Sequence, residues 1–207
     1  MKLKEKALAD ESLPLKEGAS NLVFGVGNPE AKMVFIGEGP GYWEDIKAEP
    51  FVGPAGKLLD RLLSLINIKR GEVFITNVVM HRPPENRDPL LGEITAYQPY
   101  LDGIIEIISP LLVVTLGRFS MAKFLPTAVI SKVHGQMFLM DWHNQSFGVV
   151  PMYHPAAALR SNDIMVKIRE DFLKLPEFLK AAENRDEVAE KEKSSALPKE
   201  KQMNLFN

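Results

Sequence analysis

Four short apolar runs, "MVFIG" from Met33, "EVFITNVV" from Glu72, "LLVVTLG" from Leu111 and "SFGVVPMYH" from Ser146, each end in a loop rich in glycine, proline and polar residues. Between them lie stretches of helical periodicity, "GKLLDRLLSLIN", "EITAYQPYLDGIIEIISP" and "RFSMAKFL". A brief apolar run bounded by turn formers is the pattern of a strand buried on both faces. Alternation of such strands with helices implies an α/β fold, a single mostly parallel sheet flanked by helices on both faces. Ligands of such sheets sit beyond the carboxyl ends of the strands. The loops at that end read "GEGPGYWED", "TNVVMHRPPENRDP", "GRFS" and "HPAAALRSN".

A final helix, "SNDIMVKIREDFLKLPEFLKAAE", is entered through Ser161 or Asn162 as N-cap, with a kink expected at Pro176. With 207 residues the chain suits one domain, expected over residues 1–184. Residues 185–207 are charged and poor in large apolar side chains until the terminal "QMNLFN", and read as a flexible tail. No apolar run approaches the roughly 20 residues of a membrane span. The segment "MKLKEKALADESLPLKEG" lacks the apolar stretch of a signal peptide, so a cytoplasmic location and no membrane contact are expected; the protein is also expected to be a monomer. The absence of cysteine excludes disulfides, thiol nucleophiles and cysteine-ligated metals. A formal net charge of −2 gives no global attraction to nucleic acid, so such a partner would have to meet a local basic patch.

The loop glycines Gly37, Gly39 and Gly41 allow close approach of backbone amides, which suits either an anion-binding nest or a plain strand-to-helix turn. Neither a Walker sequence nor a dinucleotide fingerprint is present. Phe51, in "EPFVGPAG", either plugs the core beneath its loop or offers a face for base stacking. Asn77 either caps a turn or presents donor and acceptor side by side to a base edge. His154, before a proline, is either structural or a donor to a developing oxyanion.

Together, "FGVGNPEAKMVFIGEGPG", "PFVGPAGKLLD", "ITNVVMHRPPENRDP", "LVVTLGRF" and "HPAAALR" make the chain resemble the uracil-DNA glycosylase superfamily, and within it the family-four enzymes. The likeness runs from about Leu13 to about Phe178. It implies hydrolysis of the bond joining uracil to deoxyribose in DNA after the base is flipped into a pocket, leaving an abasic site. By that resemblance Phe51 stacks on uracil, and Asn77 accepts from N3–H and donates to O4. His154 faces O2, Glu38 orients water or stabilises the cationic sugar, and backbone around Gly39 and Gly41 lines the pocket. Leu159 and Arg160 correspond to the segment that enters the duplex. Arg82, Arg87, Arg118 and Lys132 are candidate cations along the DNA groove.

Three departures accompany the resemblance. Family-four enzymes ligate an iron-sulfur cluster through four cysteines, and the corresponding residues here are Asp10, Leu13, His81 and Tyr97; no cofactor and no metal are therefore expected. Family-one enzymes carry a catalytic aspartate where Gly39 stands, which leaves the charge to Glu38. They also exclude thymine with a tyrosine where Gly41 stands, a task for which the adjacent Tyr42 is the candidate. The covalently trapping glycosylases carry a basic, histidine-containing insertion for which the run from "RPPENRDP" to "EITAY" has no room.

The alternatives to a monofunctional glycosylase are a non-catalytic DNA-damage or replication-associated binding module and an enzyme for another deaminated base, hypoxanthine or xanthine. The terminal pattern Gln202, Met203, Leu205, Phe206 resembles the peptide by which bacterial repair proteins bind the β sliding clamp. Single- or double-stranded DNA containing uracil is the expected substrate.

Overall fold

The computed structural model describes residues 2–195, with side chains described as far as Arg185. The elements in order are α1 (Lys2–Ala9), β1 (Val26–Gly27), β2 (Met33–Gly37), α2 (Tyr42–Lys47), α3 (Pro54–Leu65), β3 (Phe74–Asn77), α4 (Leu91–Ile108), β4 (Leu112–Leu116), α5 (Arg118–Phe124), α6 (Ile130–Val133), β5 (Phe138–Trp142), β6 (Gln145–Met152), α7 (Pro155–Ala158) and α8 (Asn162–Ser195). Six strands form one sheet in the order β1-β3-β2-β4-β6-β5. The inner four run parallel, and β1 and β5 are antiparallel edges.

Strand alternation explains the continuous apolar runs. Met33 and Phe35 of β2, Leu112, Val114 and Leu116 of β4, and Val150 and Met152 of β6 join one core with α3 and α8. Their neighbours Val34, Ile36, Val113, Phe147 and Val149 join a second core on the other face, with Tyr97, Leu101, Ile104, Ile105 and Ile108 of α4. Each inner strand is apolar at successive positions because both of its faces are covered. Phe35 and Phe172 stack across the first core with ring centroids 6.0 Å apart. No described helix is long and apolar enough to cross a membrane.

The Ser161 hydroxyl accepts from the Ile164 amide at 3.4 Å and caps α8, which contains Pro176. That helix runs on to Ser195, past the boundary drawn at 184. The first part of the segment expected to be a flexible charged tail is thus helical. The sequence "RDEVAEKEK" is rich in Glu, Lys and Ala, which favour helix even without an apolar face. Residues 196–207, with the clamp-like pattern, lie outside the described residues.

Candidate active site

The parallel strands deliver their loops to one end of the sheet, where a cavity of about 420 Å³ is lined by Glu38, Gly39, Gly41, Glu44, Phe51, Asn77, Asp88, His154, Arg160 and neighbours. Glu38 follows β2, Asn77 ends β3, and His154 follows β6. The β2–β3 ladder continues past the strand ends, with the amides of Val78 and Val79 donating to the carbonyls of Gly37 and Glu38 at 3.1 and 3.2 Å.

Asn77 pairs in register with Gly37. A Cβ at Gly37 would collide with Asn77 Oδ1 and stand 2.6 Å from the Phe51 ring, so a bare backbone is what brings these two side chains together. Asn77 is 1% exposed, yet neither Nδ2 nor Oδ1 has a hydrogen-bond partner among the described residues. Leaving such a group unpaired costs about 1–3 kcal/mol unless water or a ligand meets it.

Phe51 has φ of 54°, a left-handed conformation unfavourable for a bulky side chain. Two contacts hold it there. A side chain at Gly56 would run into the Phe51 carbonyl, so the start of α3 can approach only as glycine. Glu44 Oε1 accepts from the amides of Val52 and Gly53 at 2.9 and 2.8 Å and fixes the residues that follow. The Phe51 ring then lies 5.6 Å from the His154 ring, tilted by 31°.

His154 Nδ1 accepts from the Ala156 amide at 3.1 Å. Burial lowers the His154 pKa from 6.5 to about 4, with Glu44 opposing and Arg160 adding to the effect. The ring is therefore neutral near pH 7, and with Nδ1 occupied as an acceptor its proton is on Nε2. The Glu38 carboxyl is pushed upward, first by burial and next by Asp88, against the pull of Arg118.

The other candidates divide by place. Gly39 and Gly41 line the cavity. Leu159 is exposed just beyond α7, next to the cavity-lining Arg160. Arg87 grips the Glu93 carboxylate with both terminal nitrogens at 2.8 and 2.6 Å, so its charge is committed at the start of α4. Arg118 pairs with Asp88 on the surface, and Arg82 donates to Asn86 Oδ1 at 2.8 Å. Lys132 lies on α6, outside the cavity lining.

Tyr42 is also outside it: half exposed, edge-on to Trp43 and beneath Arg82. Tyr42, the candidate for thymine exclusion, therefore stands beside the cavity without lining it. The space beside Gly41 is taken instead by Glu44, whose Oε2 stands 2.9 Å from where a Cβ at 41 would be. Sequence reasoning passed over Glu44, Asp88 and the packing role of Gly37. All three stand in the quoted loops, but their roles depend on which way their backbone faces.

A model of the uracil DNA glycosylase superfamily matches residues 24–180. The chain belongs to that superfamily. It is 43% identical over 184 residues to a Type-4 uracil-DNA glycosylase of Sulfurisphaera tokodaii, covering 86% of this chain and 83% of the relative. Enzymes of the same name from Saccharolobus solfataricus and Archaeoglobus fulgidus are 46% and 42% identical, over 77% and 79% of this chain and 76% and 85% of their own lengths.

These relatives overturn the expectation that no cofactor belongs to the chain. They are Type-4 enzymes, and the family-four resemblance carries an iron-sulfur cluster with it. The residues at the four corresponding positions do not fit a thiolate-ligated cluster. Leu13 is a buried hydrocarbon, and the Tyr97 hydroxyl lies 2.7 Å from His81 Nδ1. Asp10 accepts from the hydroxyls of Tyr100 and Ser12 at 2.5 and 2.6 Å. No three metal-ligating side chains converge among the described residues.

The contact around Gly37 yields a direct prediction. Its backbone is ordinary strand, so Gly37→Ala acts through collision alone. It is expected to destabilise the fold by about 1–3 kcal/mol in denaturant melts and to abolish cavity function by displacing Asn77 and Phe51. Wild-type stability and activity together would contradict the packing described.

Proposed function

We propose that the chain hydrolyses the N-glycosidic bond of deoxyuridine in DNA, taking the flipped uracil into the cavity described. The chief support is the buried, unpartnered amide of Asn77 facing the Phe51 ring and a neutral His154. A uracil slid against Phe51 presents N3–H to Asn77 Oδ1 and O4 to Nδ2, filling both unused positions. Cytosine carries an acceptor at N3 and a donor at C4, so it leaves the amide unsatisfied again. The same filled amide favours the catalytic reading over a binding module, because it stands beside a poised carboxylate and an oxyanion donor.

As the bond between C1′ and N1 breaks, the electron pair passes to uracil and gathers on O2, where the Nε2–H of His154 donates. A neutral donor suits an anion that forms only in the transition state. The Glu38 carboxylate steadies the cationic sugar and orients a water, whose oxygen bonds to C1′ as its proton passes to that carboxylate, giving the abasic site, and the uracil anion takes up a proton from solvent as it leaves. Glu44, filling the space beside Gly41, is the group that meets the C5 methyl of thymine. Leu159 enters the gap in the stack, with Arg160 and the cations Arg82, Arg118 and Lys132 toward the phosphates.

Two results test these roles. Asn77→Ala is expected to lower kcat/KM for uracil release by about 10- to 100-fold, with little loss of stability. The acid limb of kcat/KM is expected to have its midpoint above the ordinary 4.5 of a glutamate, because Glu38 must be ionised and its pKa is raised. Glu38→Gln should remove that limb; its persistence would assign the ionisation elsewhere.

We further propose that Gln202, Met203, Leu205 and Phe206 bind the β sliding clamp and that the protein works in the cytoplasm. Apolar residues following a charged stretch suit an external groove. Pull-down by a bacterial β clamp should be lost in Leu205→Ala/Phe206→Ala, while uracil release from short oligonucleotides is unchanged. Equal capture of both proteins would remove the clamp from the account.

A further inference from the structure

Helix α2 has its polarity reversed. Its carboxylates turn inward: Glu44 holds the amides of Val52 and Gly53, and the buried Asp45 accepts from the amides of Ser20 and Asn21 at 2.9 and 3.0 Å. Its large apolar side chains turn outward, with Tyr42, Trp43 and Ile46 exposed to 51%, 52% and 52%. An ordinary surface helix does the opposite. The inward carboxylates have their reason in the loops they tie down. That reason does not extend to the outer face, where any polar residue would serve.

The outer face does not line the cavity but stands beside residues that do. Gly41 and Glu44, on either side of Tyr42 and Trp43 in the chain, both line it. Trp43 Cδ1 reaches to 3.4 Å from a Cβ position at Gly53, on the loop that follows Phe51. The Tyr42 and Trp43 rings meet edge to face with centroids 5.2 Å apart. The Arg82 guanidinium lies 5.3 Å from the centre of the Tyr42 ring, and the Asn86 side chain that anchors it also lines the cavity.

We propose that the exposed Trp43 ring, buttressed edge-on by Tyr42, is a stacking platform for an unpaired nucleobase adjacent to the uracil in the substrate strand, with Arg82, held over Tyr42, meeting the intervening phosphate. This rests on the uracil-DNA glycosylase reading and extends it to how the flanking strand is held. A strand that sends one base into the cavity must pass its next nucleotide across the rim, where these rings stand. Every base has a π-face, so the platform accepts any sequence and requires only that the flanking base be unpaired. It thereby favours single-stranded or frayed DNA. A cation fixed over Tyr42, beside Trp43, suits a nucleic acid better than an apolar protein surface.

Trp43 and Trp142 are the only tryptophans, and Trp142 packs on Phe147 away from this rim, which makes Trp43 a built-in probe. The intact protein is titrated with two single-stranded oligonucleotides that carry uracil, one with ordinary neighbours and one with abasic spacers on both sides. The first is expected to quench tryptophan emission and the second to leave it nearly unchanged. Trp43→Ala should bind the first oligonucleotide about tenfold more weakly and the second as well as wild type does, with Trp43→Tyr restoring most of the loss. Equal quenching by both, or unchanged affinity in Trp43→Ala, would overturn the platform and leave the patch to a protein partner. Uracil release is scored separately: quenching without release would refute the glycosylase reading while the platform stood.

Discussion

Parallel pairing of β3, β2, β4 and β6 is the constraint from which the site follows. Their carboxyl ends share one edge, so Glu38, Asn77 and His154, far apart in the chain, emerge together. Such pairing is stable only with both faces covered, and the two cores on either side of the sheet supply that cover. What the sheet cannot do is hold polar side chains still at its rim. That task falls to contacts that exclude alternatives: the missing Cβ of Gly37, the approach of Gly56 beneath Phe51, and the Glu44 carboxylate on the amides of Val52 and Gly53.

A buried amide with no partner among the described residues, a neutral imidazole with its proton on Nε2 and a partly buried carboxylate are each unfavourable alone. In the function proposed they complement a base that has N3–H, O4 and O2 along its edges and leaves as an anion. Orientation set before the substrate arrives is the main resource of such a site, since little remains to reorganise when the bond breaks.

The four buried strands and the loops after them were legible because continuous apolar runs and glycine-proline punctuation follow from local sterics. The edges β1 and β5 were not: two residues of β1 carry no period, and β5 reads "FLMDW", half exposed on one side. Nor was the reversed polarity of α2, since "YWEDIK" shows no sign of which side is covered until the loops reach Glu44 and Asp45. Helix α8 outran its apolar stripe because charged helix formers extended it. The expectation of no cofactor came from the missing cysteines and the residues at the four cluster positions, while the match to Type-4 relatives speaks for the family. At the corresponding positions the His81–Tyr97 and Asp10–Tyr100 hydrogen bonds are what the chain itself presents.

The central claim is that uracil is chosen through the free amide of Asn77, and one measurement addresses it with the unaltered protein. Single-turnover release is compared among oligonucleotides identical except for the target base: uracil, N3-methyluracil or cytosine. The account predicts release of uracil and about 10- to 100-fold slower release of the other two, since neither offers a proton at N3 to Asn77 Oδ1. Release of N3-methyluracil at the rate of uracil would contradict it.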